Sequence, residues 1–256
     1  LQQIGRVVCS DEKDEKEKSG AETACVVNLL GRREERTVSL PITSPHGTQS
    51  FRVWDGDRLL SSQYMAERRF ADGTKNAGTL MFRAALPAFG VKSFRMEPVE
   101  TEESGCMAWV DGAFAYLETD VYAIRFDLEH GGTIGSLVAK RGQVELVDRK
   151  NERKFNEYSG FFIRENRVLS NVGQRAEAVV KAEGPVCAEL EFQGAVGPVP
   201  FTQTVRVLAK ESAIRIQAVF HFPEKTYIGD PQEMTPENDV QDGHRSYHDG
   251  RYKLNA

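Results

Sequence analysis

The stretch DVYAIRFDLEHGGTIGSLVAKRGQVELV, Asp120–Val147, decides the fold. Tyr122, Ile124, Phe126 and Leu128 alternate with Val121, Ala123, Arg125 and Asp127, the period of a strand with one face buried. Gly131-Gly132 then supplies a turn. A second extended run covers Thr133–Ala139, a polar turn Lys140–Gly142, and a third run Gln143–Val147. Short alternating runs broken by glycine predict an antiparallel meander. Gly131, Gly132 and Gly135 do not stand in G-x-G-x-x-G order before a helix, so they read as turn residues rather than a phosphate cradle.

The rest of the chain has the same grammar. Before the meander, short strands are expected at Ala24–Asn28, Glu35–Ile42, Gln49–Trp54, Arg58–Gln63, Gly78–Ala85 and within Leu86–Met96. After it, strands are expected at Gly160–Glu165, Ala176–Glu183, Val186–Gln193, Phe201–Ala209 and Ala213–Phe220. Gly184-Pro185 and Gly197-Pro198 mark the turns. No helical periodicity stands out in the first hundred residues. The fold class is therefore all-β, a small β-sandwich followed by a larger one. Polar, acidic Glu97–Gly105, which contains Pro98, is the expected linker between a domain at residues 1–100 and one at 101–256.

With 256 residues the chain is long enough for two such cores, and its net charge of -5 is spread over mixed acidic and basic positions. Neither a nucleic-acid partner nor an anionic membrane is suggested. No apolar run reaches the length of a membrane span. A soluble chain is expected, with the cytoplasm favoured. The opening LQQIGRVV and the closing KLNA read as internal sequence, the latter entering a strand at Lys253. Asp11–Lys18, DEKDEKEK, reads as a solvated loop, and Asp230–Gly250 as a long loop with little to bury. Cys9, Cys25, Cys106 and Cys187 lie far apart and read as reduced thiols, with a Cys9–Cys25 bridge as the one pairing considered.

The search for chemistry yields few candidates. Asp242, His244, His248 and Asp249 have ligand chemistry, but Gly243 and Gly250 oppose the helix that would let the histidines share a metal, so a hydrophilic loop is expected. Glu118, Asp120, Asp127 and Glu165 are expected on strands, facing outward. No G-x-S-x-G elbow is present. Trp54, Trp109, Tyr158, Phe161, Phe162, Tyr247 and Tyr252 are the aromatics able to stack on a ligand, with core packing the default for most and for Phe161 above all. Tyr158, in FNEYSGFF, is the exception: polar neighbours and a following Gly suggest a ring that reaches outward.

Several phrases together resemble, in order, the β-regions of family 38 glycoside hydrolases, the α-mannosidases. These are CVVNLLGRREERTVSLPI (Cys25–Ile42), FRVWDGDRLLSSQ (Phe51–Gln63), LPAFGVKSFRM (Leu86–Met96), YAIRFDLEHGGTIGSL (Tyr122–Leu137) and AEGPVCAELEFQGAVGPVPFTQTVRVLAKESAIRIQAVFHF (Ala182–Phe222). YIGDPQEMTPE and HRSYHDGRYKLNA continue the likeness to bacterial members. The usual Pro is missing after Asn28, and the charged block at 11–18 is unusual. The resemblance implies that the second domain is a galactose mutarotase-like supersandwich cut short at its C-terminus. It implies a parent enzyme whose zinc and aspartate nucleophile sit in an N-terminal domain, since nothing here matches the family's His-Asp zinc motif. It implies that this chain contributes no catalytic residue and no metal ligand, that its partners are that catalytic domain and an α-mannoside or related carbohydrate, and that Tyr158 is the substrate-binding residue. The alternative is a stand-alone carbohydrate-binding β-sandwich without hydrolase activity.

Overall fold

The computed structural model describes residues 22–224 and 226–229, together with the backbone of Leu254–Asn255. The block Asp11–Lys18, Cys9 with its considered bridge to Cys25, the residues Asp242, His244, Tyr247, His248, Asp249 and Tyr252, and the expected loose loop Asp230–Gly250 lie outside the described residues. Among the described residues every sheet is antiparallel and there is no α-helix, only a single 3-10 turn at Asn171–Gly173. No helix among the described residues is therefore long and apolar enough to cross a membrane. The chain divides into two compact units. Of the described residues, one unit holds those up to Gly105 together with Gly184–Cys187, and the other holds Cys106–Glu183 and those from Ala188 on.

The first unit contains β1 (Glu22–Asn28), β2 (Glu34–Thr43), β3 (Ser50–Asp55), β4 (Arg58–Leu60), β5 (Ser62–Arg69), β6 (Lys75–Leu86) and β7 (Gly90–Val99). Two sheets result, ordered β1-β7-β3-β4 and β2-β6-β5. Leu80, Phe82, Ala84 and Leu86 alternate along β6 and are all buried, the period-two signature of one covered face. They join Val38 and Leu40 from β2, and Val26, Val53, Phe94 and Met96 from the other sheet, in one apolar cluster. The rings of Phe82 and Phe94 meet at 4.9 Å. Lys75 is buried, so its ammonium needs partners. It donates to the Tyr64 carbonyl at 2.5 Å and pairs with Glu102.

Two expectations need correction here. Arg58–Gln63 is not one strand: the chain breaks at Ser61, and a separate strand, β5, runs on through the charged Glu67–Arg69. Among the described residues β5 is an edge strand with β6 on one side, and an edge tolerates charged side chains. The expected break at Glu97 also starts too early, because β7 continues through Pro98 to Val99. Among the described residues β1 accompanies β7 as far as the Glu22–Met96 pair, and beyond it only β3 flanks the strand. A residue with no N–H is tolerated at such an edge.

The second unit contains β8 (Met107–Asp111), β9 (Phe114–Glu118), β10 (Tyr122–Asp127), β11 (Thr133–Ala139), β12 (Val144–Glu145), β13 (Ser159–Phe162), β14 (Arg167–Ser170), β15 (Glu177–Ala182), β16 (Cys187–Val196), β17 (Val199–Leu208), β18 (Ile214–Phe220), β19 (Ile228–Gly229) and β20 (Leu254–Asn255). β8 to β12 form a meander in simple sequential order, and β15 to β18 form another. β13 pairs with β14, β19 and β20, so Leu254–Asn255 is paired in the structure. Leu117, Ile124, Phe126 and Leu137 of the first meander share a core with Leu190, Phe192, Val205 and Val207 of the second. On the opposite face of the first meander, Trp109, Tyr116, Arg125 and Ser136 stand in one cross-strand row, with the Trp109 and Tyr116 rings stacked at 4.7 Å. Trp109 is 38% exposed, so it is not the core residue expected of it.

The third run of the deciding stretch pairs over only two residues, Val144–Glu145. The cause is the Glu145 side chain, whose carboxylate accepts from the Leu137 and Val147 N–H groups at 2.8 and 3.1 Å. A side chain has taken the place of a ladder carbonyl. It also accepts from the Ser136 hydroxyl and from Arg149. Burial raises the pKa of Glu145, but these donors outweigh it and hold the carboxyl down to about 2.

Two outcomes follow from this architecture. Because the folded-state pKa of Glu145 is depressed, its contribution is present above its ordinary value of 4.5 and is lost as pH falls toward about 2. Denaturant melts between those pH values should therefore lose less stability in Glu145→Gln than in the parent. Gly78 lies against the Met65 carbonyl, where an added Cβ would fall 2.0 Å from the oxygen. Gly78→Ala should lower unfolding free energy by about 3 kcal/mol, read from the urea midpoint.

Candidate functional site

The Lys150–Ser159 segment carries the only substrate-contact residue that the sequence singles out, and its shape is set by short polar side chains. Asp148 and Asn151 accept from the N–H groups two residues on, at 2.9 and 3.0 Å, which turns the chain twice. Glu157 then accepts from the Lys154 N–H at 2.9 Å and from the Ser170 hydroxyl at 2.8 Å. Asn156 sits at φ +64, a region that asparagine enters more readily than most residues. Its Nδ2 donates to Gln203 Oε1 at 3.3 Å. Gln203 is 2% exposed, and its Nε2 has no hydrogen-bond partner among the described residues. Arg153 reaches back to donate to the Ser159 hydroxyl at 2.8 Å.

Tyr158 closes the segment, and its ring does not reach outward as expected. It is 3% exposed and meets the rings of Phe201 and Phe220 edge-on, each at 5.3 Å. Phe162, Val196, Val199 and Phe201 belong to the same cluster. Burial pushes the phenol up to about 12, so it is neutral at any working pH. The inward turn has a backbone cause: the Tyr158 N–H donates to Asn171 Oδ1 at 2.9 Å, which fixes the residue just before β13 begins. Along β13, Phe162 is then buried and Phe161 only half-buried, the reverse of the emphasis placed on Phe161. Asn171 and Gln203 are the polar residues at this site that sequence reading missed. A lone Asn in SNVG reads as a turn, and Gln203 looks like the polar phase of an alternating strand.

Of the remaining acidic candidates, three are engaged in structure. Glu118 is paired with Lys140 at 2.6 Å and Asp127 with His130 at 2.9 Å. Asp120 caps the Lys210 N–H at 2.8 Å. Glu165 is exposed in a turn, not on a strand as expected. Trp54 is half-buried, with the Arg95 guanidinium 5.1 Å from its ring. Among the described residues no three His, Cys, Asp or Glu side chains gather so as to hold a metal ion. What the arrangement offers chemically is a polar seam of amides, hydroxyls and the Glu157 carboxylate beside an aromatic cluster. Truncating Tyr158 should separate its packing from any role for its hydroxyl. Tyr158→Ala should cost about 3–5 kcal/mol of stability, while Tyr158→Phe should stay within about 1 kcal/mol of the parent in the same melts.

No family model and no curated protein matches the chain. Solved structures do. An α-mannosidase from Enterococcus faecalis matches with a TM-score of 0.50 and 13% identity over 82% of this chain and 30% of its own. A glycosyl hydrolase family 38 protein from the same organism matches with a TM-score of 0.51 and 12% identity, over 77% and 31%. The chain thus spans about a third of the length of the structures it matches. In fold, it resembles the C-terminal β-region of family 38 α-mannosidases.

Proposed function

We propose that the chain is the C-terminal β-region of an α-mannosidase-like glycoside hydrolase. It packs on a zinc-bearing catalytic domain and walls one side of the sugar pocket. The fold likeness over 82% of the chain to under a third of an α-mannosidase is the observation that carries this reading. The ordered sequence phrases from Cys25 to Phe222 support it independently. On this reading the first unit is the small β-sandwich. The second is the galactose mutarotase-like supersandwich, and the shared core between its two meanders is in keeping with that. On this reading the zinc belongs to the partner domain, as the resemblance to family 38 implies. Hydrolysis, the nucleophile and the general acid are likewise the partner's. The role left for this chain is shape, with Tyr158 as the proposed sugar contact. Its ring is committed to Phe201 and Phe220, so the contact proposed is through its hydroxyl and not through a stacked ring.

The alternative, a carbohydrate-binding sandwich that acts alone, differs in what the isolated chain does. The chain should not turn over a chromogenic α-mannoside, with or without added zinc. Expressed together with the coding sequence that precedes it, it should support zinc-dependent α-mannosidase activity. Turnover by the isolated chain, or preceding sequence without a His-Asp zinc motif, sinks the proposal. Saturable mannoside binding by the isolated chain with no gain from the preceding sequence would favour the alternative.

A further inference from the structure

The first unit brings three sulfur atoms together at a place with no part in the proposed function. Cys187 Sγ lies 3.6 Å from Met65 Sδ and 3.9 Å from Met81 Sδ. Cys187 and Met81 are 0% and 1% exposed, while Met65, on the flanking strand β5, is half-buried and gives a path from solvent. The cysteine is far from both methionines in sequence, and its position is held. Gln63 Oε1 accepts from the N–H groups of Val186 and Cys187 at 3.0 and 2.8 Å. Gln63 itself stands directly across from Met81 in the β5–β6 ladder. Two thioethers and a thiol form a soft donor set, which selects Cu(I) over harder divalent ions. A metal–sulfur bond of about 2.3 Å would place three trigonal sulfurs about 4.0 Å apart. The two cysteine–methionine separations are already close to that edge length, so an ion could enter with side-chain adjustment alone, and methionine is the side chain best able to adjust.

We propose that Cys187, Met65 and Met81 form a three-sulfur site for a soft monovalent ion, Cu(I). Binding replaces the thiol proton: the sulfur–hydrogen bond breaks, a sulfur–copper bond forms, and the proton goes to solvent with no change in oxidation state. The proposal is independent of the mannosidase reading, and no activity assay enters its test.

The test is anaerobic titration of the full chain with Cu(I) supplied as its acetonitrile complex, in competition with bicinchoninate. The near-ultraviolet thiolate-to-copper band serves as a second readout. A Cys9→Ser/Cys25→Ser/Cys106→Ser variant should still hold one equivalent of Cu(I). Met65→Leu/Met81→Leu conserves volume and should keep the parent's thermal melt. Its affinity should nevertheless fall at least tenfold, and Cys187→Ser should abolish the band. Failure of the triple-serine variant to retain copper overturns the proposal. So does undiminished affinity in the double-leucine variant, which would reduce the cluster to core packing around an ordinary thiol. Because the leucine variant carries the decision, loss of folding in Cys187→Ser does not leave the question open.

Discussion

The second unit is organised around one carboxamide. Asn171 is fully buried. Its Oδ1 accepts from the Tyr158 N–H, its Nδ2 donates to the Gly131 carbonyl at 2.9 Å, and its own N–H donates to the Tyr158 carbonyl at 3.1 Å. Three segments far apart in sequence are thereby fixed to one another through groups that would otherwise be buried without partners. The geometry needs a short side chain with both a donor and an acceptor. Aspartate lacks the donor and leucine lacks both. It also needs Gly131, because a Cβ there would fall 2.2 Å from the Asn171 carbonyl oxygen, at a φ of +69. The glycine pair that ends the first arm of the meander thus serves two ends, reversing the chain and admitting another backbone.

That double duty explains what could be read in advance. The alternation of Ile124, Phe126 and Leu128 needs only a half-buried strand, so it predicted β10 and its neighbours to within a residue or two. The turn at Gly131-Gly132 was visible for the same reason. Asn171 was not, because nothing local distinguishes an asparagine that bridges two distant segments from one that turns a loop. Tyr158 was misjudged on the same ground. Its polar neighbours Asn156 and Glu157 suggested an exposed ring, but they are engaged with Gln203 and Ser170 and leave the ring to the core. β5 was missed because an edge strand tolerates a charged face that a pattern search takes for a loop.

Three polar side chains in the described residues are spent on architecture. Lys75, Glu145 and Asn171 each have a donor or acceptor set of the kind found in active sites. Each uses it to replace missing backbone partners or to hold a segment. A scaffold of this sort can place a wall beside a reaction without taking part in it. The likeness to roughly a third of an α-mannosidase is a likeness of fold.

The stacked Trp109–Tyr116 pair has a practical consequence of another kind. The chain has two tryptophans, and they fall in different units. Trp54 lies beneath a guanidinium in the first unit, and Trp109 lies face to face with a phenol in the second. Each indole therefore has its own electronic surroundings, and each unit has its own built-in chromophore. Emission and near-ultraviolet dichroism from single-tryptophan variants would resolve whether the units melt as one cooperative block or in succession, with no added label.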